Sequence, residues 1–222
     1  MKITFLGHAS FKIIEDGKIV YVDPWLTGPT SPITIDDIDK ADIVLVTHDH
    51  GDHGYAEALG ICKKTGATFV AINELAHKAG SQGIKNIHTL NIGGSVNVGG
   101  VVVTLVQAYH SSGVGAPTGF IVRFPSGSFY HPGDTGVFAS MKLLRELYPI
   151  DVFFAPIGSY FTMDVHQAAL ATSLVKPSYV IPMHYDTFPV IEANPEKFKA
   201  LVSEASPDTK VVILKPGNET EI

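Results

Sequence analysis

Apolar positions along the chain fall into short runs rich in Val, Ile and Phe, separated by lone glycines and prolines and by Asp or Asn turns. Runs of this kind predict strands, here over residues 3–6, 11–14, 19–22, 43–46, 68–72, 101–107, 120–124, 128–131, 152–155, 179–182 and 211–214. Gly7 and Asp16-Gly17 divide the first three, as in an antiparallel meander. Between the later runs the period changes. Stretches at 55–65, 73–79, 140–147, 165–176 and 195–203 predict amphipathic surface helices. Asp164 with Gln167 three positions on is a capping box, and Asn194 before Pro195 sets another helix start. A strand-rich centre that helices must cover gives a layered α/β architecture.

One spacing recurs. The strand ending in Asp23-Pro24, the run 43–46 leading into Thr47-His48, and the run 68–72 follow at intervals of about 25 residues, and 130–134, 152–158 and 179–184 repeat the triplet. Two similar halves packed face to face would bring the loops at matching strand ends into one cleft. No Ser/Gly linker, charge block or low-complexity tract divides the chain, so residues 1–222 are expected to form a single domain.

Composition narrows the class. A single cysteine, Cys62, excludes an intrachain disulfide and favours a reducing compartment, with the cytoplasm as the default. Cys62 shares a predicted helix face with Tyr55 and Leu59 and reads as core. The net charge of −6 offers no general field for nucleic acid or an anionic membrane. No run is long enough to span a bilayer, and residues 1–11 lack the apolar core of a signal peptide, so a soluble, untargeted chain is expected. Neither a G-x-S-x-G elbow nor a P-loop is present. What stands out is ten histidines against sixteen Lys plus Arg, in a residue type suited to metal and proton chemistry near neutral pH.

The densest signal is Thr47-His48-Asp49-His50-Gly51-Asp52-His53, directly after the run 43–46. His48 and His50, two apart, point to one side if the backbone stays extended, which suits two imidazoles on one metal. A turn at Gly51 can send Asp52 and His53 to a second position, where a carboxylate and an imidazole could hold a second ion. His110, Asp134 and His184 each follow a predicted strand and are candidates to complete the set.

On these residues the sequence resembles the metallo-β-lactamase fold hydrolases. The likeness rests on H-x-H-x-D-H at His48, His50, Asp52 and His53, on His110, on Gly133-Asp134-Thr135 and on His184. It implies an α/β fold, a four-layer αβ/βα sandwich of two pseudo-equivalent halves with a dinuclear centre between them. By the same resemblance His48, His50 and His110 would hold one metal, Asp52, His53 and His184 the other, and Asp134 would bridge them. Asp23 would support the H-x-H loop by hydrogen bonds without binding metal. Within the superfamily, Gly7-His8-Ala9-Ser10-Phe11, Asp23-Pro24, His110-Ser111-Ser112, Tyr130-His131 and Ile181-Pro182-Met183-His184-Tyr185 are similar to the hydrolases related to ascorbate-6-phosphate lactonase. Asp49 stands where a glycine is common, and could add negative charge beside the site.

The function expected is hydrolysis of a small ester, lactone or phosphodiester by a metal-activated hydroxide. A nuclease-type metallo-hydrolase and a non-catalytic metal-binding protein are the alternatives. Two divalent ions per chain are implied; five His and two Asp suit Zn²⁺, while Mn²⁺, Fe²⁺, Co²⁺ or Ni²⁺ could occupy the same set. Asp52 and His8 are the candidates for direct catalytic roles, His8 as a substrate contact or proton donor, or else as a residue of its turn. Thr135 and His131 are candidates to orient ligands. A small-molecule substrate is expected, with no nucleic acid and no membrane, and self-association is left open.

Overall fold

The computed structural model describes residues 1–222. Its strands are β1 (Lys2–Gly7), β2 (Ser10–Glu15), β3 (Lys18–Val22), β4 (Ile43–Leu45), β5 (Thr68–Ile72), β6 (Ile87–Leu90), β7 (Ser95–Val98), β8 (Val101–Gln107), β9 (Thr118–Arg123), β10 (Ser128–His131), β11 (Val152–Pro156), β12 (Tyr179–Met183), β13 (Lys210–Val211) and β14 (Glu219–Glu221). Its helices are α1 (Tyr55–Thr65), α2 (Asn73–Ser81), α3 (Met141–Leu147), α4 (Val165–Val175) and α5 (Pro195–Ala205).

The strands make two seven-stranded sheets, ordered β14-β1-β2-β3-β4-β5-β6 and β13-β12-β11-β10-β9-β8-β7. Aligning β1 with β8 makes the pairings of the two sheets match. β1–β2 and β2–β3 are antiparallel, as are β8–β9 and β9–β10. From β3 to β6 the neighbours are parallel, as they are from β10 to β13. Only the strand beside β1 is out of sequence: β7 pairs with β8 from just upstream, whereas its counterpart is β14, antiparallel to β1 with Lys2 opposite Glu221. The 25-residue echo is the trace of this repeat.

Side-chain alternation builds the layers. Phe129, Val152, Phe154, Ile181 and Met183 face the core between the sheets, whereas Tyr130, Phe153, Ala155 and Val180 face α3, α4 and α5. A strand buried on both faces needs no polar alternation, which is why 152–155 is continuously apolar. The rings of Phe11 and Phe154, one from each sheet, lie 4.2 Å apart. Helices α1 and α2 cover the outside of the first sheet and complete the four-layer αβ/βα sandwich. Two of the expected helix starts are capped: Asp164 accepts from the N–H groups of His166 and Gln167, without the return bond from the Gln167 side chain that a full capping box has, and Asn194 accepts from those of Glu196 and Lys197. No helix is long and apolar enough to cross a membrane.

The structure departs from the sequence expectation at the sheet margins. β6, β7 and β14 fall on residues with no predicted strand, and β13 covers Lys210–Val211, where 211–214 was expected. All four are edges, half-exposed along their length.

Cys62 lies in the core, 4% exposed, and burial pushes its thiol up to about 12. At pH 8 that leaves about one thiolate in 10⁴. A thiol reagent such as DTNB is therefore expected to label native protein over hours and unfolded protein within a minute. Prompt labelling of the native chain would show that the α1 face opens.

Candidate metal centre

His8 follows β1, Asp23 follows β3, the loop from His48 to His53 follows β4, His110 follows β8, Asp134 follows β10 and His184 follows β12. Loops at the carboxyl ends of parallel strands are where α/β sheets gather ligands. Three of these residues leave their strands in the left-handed backbone region: His8 (φ 54°), Asp23 (φ 45°) and His184 (φ 55°). Such conformations cost roughly 1–3 kcal/mol each and persist where the surroundings over-determine them.

Their donor atoms converge in adjoining groups, each with atoms within 4.8 Å of one another: His48, His50 and His110; His48, His53 and Asp134; His8, Asp52, His53 and His184. All seven expected ligands are among them. The Asp134 carboxylate lies between the groups. Its Oδ1 is 3.3 Å from His53 Nε2, and its Oδ2 is 3.1 Å from His184 Nε2 and 3.5 Å from His110 Nε2.

Asp23 is outside these groups and fully buried. Its Oδ1 accepts from the Thr47 N–H at 2.8 Å, and its Oδ2 accepts from the Thr47 hydroxyl at 2.7 Å and from His53 Nδ1–H at 2.8 Å. Having donated its proton, Thr47 Oγ1 accepts from His48 Nδ1–H at 3.0 Å. Nε2 is thereby the nitrogen that both His48 and His53 turn to the cluster. His48 Nε2 meets His50 Nδ1 at 3.0 Å, a separation that calls for a shared proton or a cation.

Electrostatics follow from burial and from the two buried carboxylates. Burial drives His48 down to about 2, so it is neutral at pH 7 with its lone pair available. His53 feels the same burial, but Asp134 and Asp23 on its two sides outweigh it and raise the imidazole well above its ordinary value. Burial would lift Asp134, yet His53 and His184 hold it well below the usual carboxylate range. A proton and a cation compete for the His53 Nε2 lone pair. His53 Nε2, Asp134 Oδ1 and both ring nitrogens of His184 are buried without a hydrogen-bond partner in the protein. Native structures leave few such atoms, and clustered imidazoles and carboxylates are the donors a borderline divalent cation takes. The residues fit a metal.

His8 reaches this centre as a donor. Its Nε2 is 3.2 Å from Asp52 Oδ2 and its Nδ1 is 2.9 Å from the Thr187 hydroxyl. Burial, opposed by the bond to Asp52, lowers His8 to about 4, so at pH 7 Nε2–H donates to Asp52 while Thr187 donates to Nδ1. Trp25 and Phe188 pack edge-on against the ring.

The two orienting candidates act through the backbone. His131 Nε2–H donates to Ala9 O at 2.9 Å and Nδ1 accepts from Gly133 N–H at 3.2 Å, joining the turn that carries His8 to the one that carries Asp134. Thr135 Oγ1 accepts from the Tyr109 N–H at 2.9 Å, just before His110. Gly133 (φ 63°) sits where a Cβ would come within 2.8 Å of both Thr118 O and Thr47 Cβ, so a side chain there would push Asp134 off the cluster. Asp49, expected to add charge beside the metal ligands, is not in any of the donor groups; its carboxylate is bonded to the loop after His110. His77, bonded within α2, and His88 and His166 lie outside the site. Sequence reasoning missed Thr47 and Thr187. Thr47 stands immediately before the first motif histidine, a usable signal; Thr187 has none.

Residues 2–184 match the beta-lactamase superfamily domain. A UPF0173 metal-dependent hydrolase from Methanopyrus kandleri is 48% identical over 231 aligned residues that cover 100% of both chains. Another from Caldivirga maquilingensis is 45% identical over 97% of this chain and 96% of its own. The solved structure of Igni18, a metallo hydrolase from the hyperthermophilic archaeon Ignicoccus hospitalis, is 41% identical with a TM-score of 0.92, covering 100% of this chain and 98% of that one. Relatives this similar and complete remove the non-catalytic alternative. The His/Asp cluster able to bind metal, the repeated sandwich that carries it and these relatives agree: the chain belongs to the metallo-β-lactamase superfamily and is a metal-dependent hydrolase.

Proposed function

We propose that the protein hydrolyses a small ester, lactone or phosphodiester at a dinuclear centre, with His48, His50 and His110 holding one divalent cation, Asp52, His53 and His184 the other, and Asp134 between them. The observation that carries this reading is the Asp134 carboxylate, within 3.5 Å of imidazole nitrogens from both groups. Zn²⁺ suits five imidazoles and two carboxylates. Bound there, the cations would supply a Lewis acid for the scissile carbonyl or phosphoryl oxygen and, by lowering the pKa of water towards neutrality, a nucleophile.

The chain's own residues prepare this chemistry. Thr47 and Asp23 fix which nitrogen His48 and His53 present. His8 fixes the Asp52 carboxylate, and with Asp52 it is the polar group available to meet substrate or to pass a proton. The net charge of −6 and the lone buried thiol support a small-molecule substrate in the reducing cytoplasm, without nucleic acid.

Elemental analysis of untagged protein is expected to find two divalent cations per chain. Chelation should abolish turnover of a panel of lactones, esters and phosphodiesters, and added Zn²⁺ or Mn²⁺ should restore it. Full activity with one cation per chain would overturn the dinuclear reading. Turnover confined to RNA or DNA would overturn the substrate class.

A further inference from the structure

We infer that Asp49 is a positioning residue that ties the loop carrying His110 to the loop carrying His48 and His50, so that three imidazoles close on one cation. This rests on the ligand assignment above.

Asp49 Oδ1 accepts from the Gly113 N–H at 2.7 Å and from the Ser112 hydroxyl at 3.0 Å. Contact is close: a Cβ on Gly113 would stand 3.0 Å from Asp49 Oδ2. From the far side Lys78 Nζ, seated over the Tyr55 ring, lies 3.9 Å from Oδ2. Backbone donors to an ionised carboxylate make short, strong hydrogen bonds. Asp49 is flanked in the chain by His48 and His50, and Ser112 is two residues past His110.

Beyond the packing of Val114 against the core, few main-chain hydrogen bonds hold the loop. From residue 108 to residue 117 one backbone-to-backbone hydrogen bond forms, from Gly136 N–H to Tyr109 O. With the Thr135 contact to Tyr109 N–H, it ties the residue before His110 to the Asp134 turn. Asp49 grips the residues after it. His110 is thus suspended between two anchors, one on each neighbouring ligand loop. Its side chain is 12% exposed, against 0% for His53 and 2% for His184, so packing restrains it less than those two imidazoles.

The test is cation binding by the full chain, followed by titration calorimetry and by the visible absorption of added Co²⁺, with circular dichroism and Tm as folding controls. In Asp49→Ala one binding step is expected to weaken by about 10–100-fold, the usual effect of removing a group that orients a ligand. The other step should be unchanged, and the Co²⁺ spectrum should shift. Asp49→Asn keeps an oxygen for the Gly113 N–H and should recover most of the lost affinity. Unchanged affinities and spectrum in folded Asp49→Ala, or an Asn variant as weak as the Ala variant, would overturn the inference. His110→Ala separates the two levels: if it too leaves both steps intact, the ligand assignment has failed, whereas if it weakens one step and Asp49→Ala does not, only the role of Asp49 has. Should Asp49→Ala not fold, Gly113→Ala, which presses on the same carboxylate, decides: a weakened step supports the anchor and an unchanged one overturns it.

Discussion

Asp134→Asn is expected to lower kcat/KM by at least about 10³-fold, or roughly 4 kcal/mol of transition-state stabilisation at 1.36 kcal/mol per decade. The chain should also fail to retain two cations. A carboxamide has the shape of the carboxylate but not its charge, and one of its two ends must present an NH₂ group to an imidazole nitrogen. Asp134 faces His53 through Oδ1 and His110 and His184 through Oδ2, so neither orientation of the amide serves both sides. Elemental analysis and steady-state rates check this together. Two retained cations with a rate within tenfold of the parent would mean that Asp134 does not lie between the metals.

The largest effect on stability is expected from Asp23→Ala. Three donors converge on this fully buried carboxylate: the Thr47 N–H, the Thr47 hydroxyl and His53 Nδ1–H. Its removal strands all three in the interior, and breaking a buried, hydrogen-bonded charge site of this kind costs about 3–5 kcal/mol. For a chain of this size each kcal/mol lowers Tm by about 2–4 °C, so a fall of roughly 6–20 °C is expected. Metal affinity should drop with it, by about 10–100-fold, because His53 loses the bond that sets its protonated nitrogen. Calorimetric unfolding measures the first effect and cation titration the second. A Tm within about 2 °C of the parent would show that Thr47 and His53 find other acceptors.

The sequence is most legible where burial is greatest. Residues 43–45 and 152–155 lie in strands enclosed on both faces, and short, continuously apolar, β-branched or aromatic runs bounded by polar turns favour that reading over a buried helix. The ligands were legible for a related reason: a loop that only turns needs Gly, Asn or Asp, so three histidines in six positions have no structural excuse. Edge strands lie at the opposite pole. Glu219–Glu221 pairs on one side only and exposes both glutamates, so nothing in its composition sets it apart from a turn. Contacts between distant loops were equally unreadable. Asp49 could be seen as a charge near the motif, but its direction is decided by Gly113 and Ser112, more than sixty positions away. His8 could be placed at a strand end, but its two partners, Asp52 and Thr187, lie 44 and 179 residues away in the chain.

The late return of β14 has a consequence for synthesis. The second sheet is built from one continuous stretch, β7 to β13, whereas the first cannot close its margin until residues 219–221 have been made. At about 5–20 residues per second, β1 waits roughly 10–40 s on the ribosome with one row of main-chain groups unpaired. During that interval a nascent first half is a template for strand addition by any neighbouring chain. Lys2, which pairs with Glu219 at 2.8 Å in the finished fold, stands on that open margin and puts a charge where a foreign strand would dock.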